Sequence, residues 1–193
     1  SDLTFEVLIW SIAENLVPAR SRLWSGQSTD VMAFCWARVE GACIANTRGQ
    51  HMGRSRGGLT SKIHVVVDGN GLPVQLGLTA GQEHDNQLFS VLLRNLPSRA
   101  RLLADRGYDA DWIRAFVTDR GAWANIPPKC NRKDPICFSP YLYRDRNLIE
   151  RFFNKIKQCR RVATRYDKLA ANYLAFVKLA CIRLWLRVYQ CTA

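Results

Sequence analysis

The sequence has few histidines and no paired-cysteine motif. Its 193 residues include 3 histidines and 7 cysteines, an odd number, and no two cysteines have C-x-x-C spacing. Cys130 and Cys137 are too widely spaced for a zinc site, and no histidine lies near them. The other cysteines lie mainly in apolar runs, where a free thiol behaves as a small hydrophobe. The sequence therefore predicts unpaired thiols in a reducing compartment.

Signals for export and for membrane insertion are also lacking. Asp2 and Glu6 lie near the N-terminus, which is the wrong pattern for a secretory signal. The most apolar segment, residues 169–189, contains three basic residues. We therefore expect a buried helix there rather than a membrane span, and a cytoplasmic protein with no membrane partner.

Acidic residues are scarce relative to basic ones. The chain has 16 Asp and Glu against 28 Lys and Arg, which gives a net charge of +12 and a pI of about 9.8. This balance favours a polyanionic partner, nucleic acid before an anionic membrane surface. Hydrophobic residues make up 48% of the chain, enough to bury the core of one domain with a short appendage.

The order of the predicted elements is that of a mixed α/β protein. Two strand-like segments, residues 62–68 and 72–79, flank the turn residues Gly69-Asn70-Gly71, which predicts a β-hairpin. The remaining segments predict strands at 31–36, 102–104 and 123–126, and helices at 86–96, 109–120 (closed by Gly121) and from 146 to the C-terminus in two pieces. The fold class expected is a sheet flanked by helices, with a long C-terminal helical segment.

Three polar residues within this pattern have ordinary structural interpretations. His64 alternates with apolar neighbours, so we expect its side chain to face outward from the hairpin rather than to bind a ligand. Asp85 and Asp109 each precede a predicted helix. Both are suited to be N-caps.

The C-terminal helical segment begins with a polar stripe that contains one acid. At about 100° per residue, Arg146, Glu150 and Lys157 fall within about 40° of one line. The stripe continues through Asn154, Arg161 and Lys168, and the opposite side carries Leu148, Ile149, Phe152, Ile156 and Cys159. From this pattern alone, Glu150 is either a surface salt-bridge partner of Arg146 or a functional carboxylate.

A second carboxylate follows the short apolar strand of 102–104. Asp105 is therefore expected at the C-terminal edge of a sheet, where sites in α/β proteins are built. The alternative is that it only starts the next turn. Carboxylates from a strand end and a helix can together bind Mg²⁺, an ion that prefers oxygen ligands and also binds phosphates.

These residues resemble the signature of insertion-sequence DDE transposases, bacterial enzymes with an RNase H-like catalytic domain. Tyr143, Arg146, Glu150 and Lys157 match the family's Y-x2-R-x3-E-x6-K pattern. Other family blocks are matched in order by GRSRGGLTSKIH (53–64), LTAGQEHDN (78–86), LLADRGYDAD (102–111) and RRVATRYDK (160–168). The resemblance covers roughly residues 53–187.

The resemblance implies an activity and roles for individual residues. Asp105 and Glu150 match the second and third acids of the DDE triad, as catalytic ligands of Mg²⁺ or Mn²⁺. Tyr143, Arg146 and Lys157 match residues that hold DNA near the scissile phosphate. Arg161 and the loop residues Arg54 and Arg56 are further candidates for DNA binding. The implied reaction is metal-dependent cleavage at transposon ends followed by strand transfer into target DNA, without a covalent enzyme intermediate.

The sequence leaves alternatives for the first acid of the triad. Asp30 has a suitable distance from the GRSRGG block, but Val31 follows it instead of Ser or Thr. A second alignment puts the acid's position near Ala33, with Glu40 where the family has histidine. Asp68 is a weaker candidate because its context is that of a hairpin turn. The alternatives are Asp30 as catalytic residue and metal ligand, or no first acid.

The same comparison suggests a domain organisation. Residues 1–25 are interpreted as a remnant of an N-terminal recognition region, in a truncated copy, and residues 26–193 as the RNase H-like catalytic domain. The resemblance also implies a bacterial protein associated with the nucleoid, whose partner is double-stranded DNA (transposon ends and target) bound by a homo-oligomer. The alternatives to an active transposase are a catalytically defective product that only binds DNA and another RNase H-like nuclease using the same two acids.

Overall fold

Strands rich in β-branched residues and helices with one apolar face make up the part of the chain that the structure describes. This computed structural model describes residues 31–41, 50–55 and 58–190. The strands are β1 Val31–Gly41, β2 Gly53–Ser55, β3 Gly58–Val67, β4 Pro73–Ala80, β5 Arg101–Ala104, β6 Trp123–Asn125 and β7 Thr164–Arg165. The helices are α1 Phe89–Leu92, α2 Asp111–Thr118, α3 Pro140–Tyr143, α4 Asn147–Lys157, α5 Arg160–Ala163 and α6 Ala170–Gln190.

The strands form one mixed sheet. β3 lies between β4 and β1 and is antiparallel to both, whereas β1, β5 and β6 are parallel. β2 pairs with the start of β3, and β7 pairs with the end of β1. Phe34 of β1 lies beside Ala104, the last residue of β5. The residue after β5 therefore emerges beside the middle of β1.

Alternation along the strands divides the core between the two faces of the sheet. On one face, Ile63, Val65 and Val67 of β3 pack in a cluster with buried residues of α4 and α6. On the other face, Phe34, Val66 and Leu102 pack with residues of α1 and α2. α4 and the site it carries therefore lie on the first face.

The burial pattern of α4 follows from the spacing of its apolar residues. Ile149, Phe152, Phe153 and Ile156 are buried and recur every three or four residues, so they lie on one side of the helix. Each contributes on the order of 1.5–3 kcal/mol by leaving water. α6 is further held by Trp185, whose Nε1 donates to the carbonyl oxygen of Pro73 at 3.0 Å. This packing leaves the polar side of α4 in solvent.

The main elements predicted from the sequence are confirmed. The hairpin is formed by β3 and β4, and the strands near 102–104 and 123–126 are β5 and β6. Gly121 has φ of +69° just after the second predicted helix, as expected for a residue that ends a helix. The first predicted helix is shorter than expected, because only Phe89–Leu92 is regular and turns flank it.

Three predictions for single polar residues are wrong. His64 is fully buried, and its Nε2 lies 2.8 Å from Thr79 Oγ1. Asp85 pairs with the buried Lys62 at 2.6 Å, and the N-cap of α1 is Leu88. The N-cap of α2 is Ala110, whereas the side chain of Asp109 is buried among basic partners. In each case, a tertiary contact replaces the local role that the sequence favoured.

Candidate active site

Asp105 is positioned by the strand that precedes it. The last three residues of β5 are buried, and Asp105 continues in extended conformation into a 3₁₀ turn, Arg106–Tyr108. Its side chain is 40% exposed. The carboxylate therefore lies at the C-terminal edge of the parallel part of the sheet, as predicted.

The other residues of the signature come from a helix, a turn and a second helix in succession. Ser139 caps α3 by accepting a hydrogen bond from the backbone N–H of Leu142. Tyr143 ends α3, Arg146 ends the 3₁₀ turn that follows, and Glu150 lies in the first turn of α4. Because the apolar side of α4 is buried, Glu150 is held on the exposed side.

The structure brings four of the predicted site residues together. Tyr143 Oη donates to Asp105 Oδ1 at 3.0 Å. One nitrogen of Arg146, Nη1, lies 3.1 Å from Asp105 Oδ1, and the other, Nη2, donates to Glu150 Oε1 at 2.6 Å. Asp105 and Glu150, 45 residues apart in the sequence, thus share one guanidinium.

This arrangement stabilises the charged form of Arg146. Partial burial opposes the charged form, but the negative charge of Asp105, together with Tyr143 and Glu150, outweighs it and raises the pKa of Arg146 above its ordinary value. The Glu150–Arg146 pair considered from the sequence is therefore present. It belongs to a larger cluster rather than to a solvated helix surface alone.

The donor set fits a divalent cation in part. Asp105 and Glu150 supply hard carboxylate oxygens, and both contact the same guanidinium, at 3.1 and 2.6 Å. No group of three or more His, Cys, Asp or Glu residues suited to a metal occurs within the described ranges. Further coordination would come from water and from phosphate oxygens.

The first acid is not supplied by the described residues of β1 nearest to Asp105. Phe34, beside Ala104, is fully buried, and Ala33 is buried against the helices. Glu40, beside Thr164, belongs to the far end of β1. Asp30 lies outside the described residues, so its role stays a prediction.

Asp68 has a structural explanation. It is buried, and its Oδ1 accepts hydrogen bonds from the backbone N–H groups of Asn70 and Leu72, both at 2.9 Å. These bonds stabilise the turn between β3 and β4. Asp68 is therefore a turn residue, as its sequence context indicated.

The predicted DNA-binding residues occupy different elements. Lys157 is exposed at the end of α4, and Arg161 is exposed in α5, with its guanidinium 4.8 Å from the centre of the Phe176 ring. Because α4 ends at Lys157, the polar stripe does not continue on one helix through Arg161 and Lys168. Arg54 belongs to β2, and Arg56 lies outside the described residues.

Two basic residues of α4 were missed from the sequence. Arg151 and Lys155 are exposed and add positive charge on the solvent side of the helix that carries Glu150. Their four-residue spacing was the available signal, since such residues share a helix face.

Among the described helices, none combines the length and the hydropathy that a membrane span requires.

Comparison with known proteins identifies the family. The family model described as "Transposase DDE domain" matches residues 37–185. The chain is 40% identical over 130 residues to a Brucella ovis protein assigned as a transposase for insertion sequence element IS6501, covering 67% of this chain and all of that protein. It is 34% identical over 132 residues to a Burkholderia cepacia protein assigned to IS402, covering 63% of this chain and 60% of that protein.

The fold also matches a solved transposase structure. A piggyBac transposase synaptic complex with hairpin DNA aligns with a TM-score of 0.53 and 9% identity, covering 80% of this chain and 45% of that one. At this identity the match concerns the fold alone, and it agrees with the predicted RNase H-like α/β architecture. The family match over residues 37–185 and the 40% identity to the Brucella ovis protein show that the chain belongs to the insertion-sequence transposases with a DDE domain.

Proposed function

We propose that this chain is a DNA transposase that cleaves transposon ends and transfers them to target DNA, as a homo-oligomer and with Mg²⁺ or Mn²⁺. The observation that carries the proposal is the convergence of Asp105 and Glu150 on one guanidinium. Two acids from a strand end and a helix meet beside an exposed basic surface. This is an arrangement that can bind a divalent cation and a phosphodiester at the same place.

Each residue of the cluster has a role suited to this chemistry. Asp105 and Glu150 would hold the metal, which, when bound, polarises the phosphate and lowers the pKa of a coordinated water. Tyr143 Oη and the Arg146 guanidinium are donors already directed at the acid cluster, and both can donate to phosphate oxygens. Lys157 and its basic neighbours on α4 would hold the DNA backbone by charge.

The proposal predicts a large loss of cleavage when Glu150 is replaced by glutamine. Glutamine keeps the size of the side chain but removes the charge that binds a cation, so we expect the rate to fall at least 100-fold, about 2.7 kcal/mol in the barrier. The assay follows cleavage of DNA carrying the element's ends, with Mg²⁺ or Mn²⁺.

A matched control tests whether the loss is specific. Asp145→Asn makes the same change in charge five residues earlier, at an exposed acid, and should cleave at close to the wild-type rate. Equal rates in wild type and Glu150→Gln would contradict the role of Glu150. DNA binding without cleavage in the wild type would instead favour the non-catalytic alternative.

The basic surface predicts a change in the salt dependence of DNA binding. Lys157→Ala should reduce the slope of log affinity against log salt by about one unit, because one phosphate contact and its released counterion are lost. Arg94→Ala is the control, since Arg94 is exposed and follows α1 on the other face of the sheet. An unchanged slope in Lys157→Ala would mean that Lys157 does not contact phosphate.

A further inference from the structure

The guanidinium of Arg146 lies where a cation would be expected. Its two terminal nitrogens contact different carboxylates, Asp105 at 3.1 Å and Glu150 at 2.6 Å. Asp105 Oδ2 also accepts from Arg146, at 3.4 Å. One positive side chain therefore contacts both acids of the site.

We propose that Arg146 is an internal counter-cation, which a divalent metal displaces from Asp105 and Glu150 and which then binds a DNA phosphate. The inference rests on the proposed function and assigns Arg146 a coupling role within it. Binding of metal and binding of DNA would then each favour the other. In this role Arg146 changes its partner: it contacts the two acids without metal and a DNA phosphate with metal.

Competition between Arg146 and a metal follows from the contacts. Mg²⁺ requires oxygen ligands at about 2.0–2.1 Å in a nearly octahedral arrangement. Asp105 Oδ1 already accepts from Tyr143 and lies against Arg146, and Glu150 Oε1 is the acceptor for the same guanidinium. A metal on these oxygens would also lie close to a positive charge and be repelled by it. The acids therefore cannot bind both cations well at once.

A phosphate is a suitable second partner for Arg146. Phosphate oxygens accept the paired N–H groups of a guanidinium in the same bidentate geometry as carboxylates. The side chain of Arg146 is 23% exposed, so one side of it is open to solvent. Its guanidinium carbon lies 5.6 Å from the centre of the Tyr143 ring. The guanidinium can therefore pack on this ring when it leaves the acids.

The coupling is tested by measuring Mn²⁺ binding to the full chain by calorimetry, with and without a DNA duplex. Without DNA, Arg146→Gln should bind Mn²⁺ at least tenfold more tightly than wild type, because the competing cation is gone. With DNA, wild-type affinity for Mn²⁺ should rise at least tenfold. In Arg146→Gln, DNA should increase this affinity by a clearly smaller factor, because the residue that couples the two ligands is gone. Since such coupling is reciprocal, Mn²⁺ should likewise increase DNA affinity less in this variant.

Arg144→Gln is the matched control. It removes one positive charge from an exposed residue two positions before Arg146 and should change Mn²⁺ affinity without DNA less than about threefold, as expected for a screened surface charge. Circular dichroism of both variants checks that the fold is kept. Arg146→Lys keeps the charge but not the two-pronged guanidinium, so its Mn²⁺ affinity without DNA should lie between those of wild type and Arg146→Gln.

The possible results separate the inference from the function on which it rests. If Arg146→Gln binds Mn²⁺ no more tightly than wild type while Glu150→Gln abolishes binding, the site binds metal and the counter-cation role is wrong. If Mn²⁺ binding is unaffected by Glu150→Gln, the proposed metal site itself is wrong. If Arg146→Gln binds Mn²⁺ more tightly and the double variant with Glu150→Gln loses this binding, the result supports both the metal site and the counter-cation role of Arg146.

Discussion

Replacing Asp109 by alanine is expected to lower the free energy of unfolding by about 3–5 kcal/mol. The Asp109 side chain has no exposed surface and pairs with Arg114 and Arg132, each at 2.8 Å. Its Oδ2 also accepts from the backbone N–H of Lys129 at 2.7 Å. Alanine would leave two guanidinium groups without their shared carboxylate. It would also release the segment after β6 from α2.

The pH dependence of stability provides a second measurement of the same interaction. Burial opposes ionisation of Asp109, but hydrogen bonds from Arg132, Lys129 and Arg114 outweigh it and lower its pKa from 3.8 to about 2. A carboxyl group whose pKa is lower in the folded state stabilises the protein above pH 3.8, and this stabilisation is lost as the pH falls toward 2. The difference between wild type and Asp109→Ala should therefore shrink across that range.

Urea unfolding of wild type and variants at pH 7 and at several values down to pH 3 makes the comparison. Asp111→Ala is the control, because Asp111 also pairs with Arg132, at 2.7 Å, but its side chain is 90% exposed. We expect the control to lose no more than about 1 kcal/mol. Equal losses in the two variants would contradict the importance assigned to burial of Asp109.

Asp109 also shows what the sequence could and could not predict about polar residues. The fold class and the elements that carry the site were predictable, because alternation in the hairpin and the apolar spacing of α4 are local patterns. Asp105 and Glu150 could be named as candidates because a strand end and a spaced signature mark them. The partners of Asp109, in contrast, include Arg132, 23 residues away, and no local pattern indicates such a pairing.

The same limit explains the error at His64. The pattern around His64 is that of a strand with one solvated face, but both faces of this sheet are covered by helices. His64 is therefore fully buried beside Thr79, and burial lowers the pKa of His64 to about 4 despite the opposing charge of Asp85. Which faces of a sheet are covered is a tertiary property, so periodicity alone does not reveal it.

Arg165 is the residue for which the structure adds most to the sequence. It is fully buried in a block that suggested only family membership. Its guanidinium donates to five acceptors on three segments: the carbonyl oxygens of Gln50, His51, Asp167 and Lys168, and Ser61 Oγ. The segment before β2, strand β3 and the segment between β7 and α6 are thus joined by one side chain.

Arg165→Met is therefore expected to lower the free energy of unfolding by about 3–5 kcal/mol, since several buried carbonyl groups would lose their donors at 1–3 kcal/mol each, with partial relaxation. Methionine keeps much of the apolar stem, so the loss reports on the hydrogen bonds. Arg165→Lys should recover only part of it, because a single ammonium cannot match the planar fork. Urea unfolding at pH 7 measures both.

The control for Arg165 is its exposed neighbour in the same block. Arg160→Met removes the same charge at an exposed position and should change stability by no more than about 0.5 kcal/mol. Because the contacts of Arg165 fix the backbone at Gln50 and His51, its loss should also increase proteolysis before β2 while leaving α4 protected. If Arg165→Met unfolds at the same urea concentration as Arg160→Met, the buried hydrogen bonds of Arg165 do not stabilise the fold.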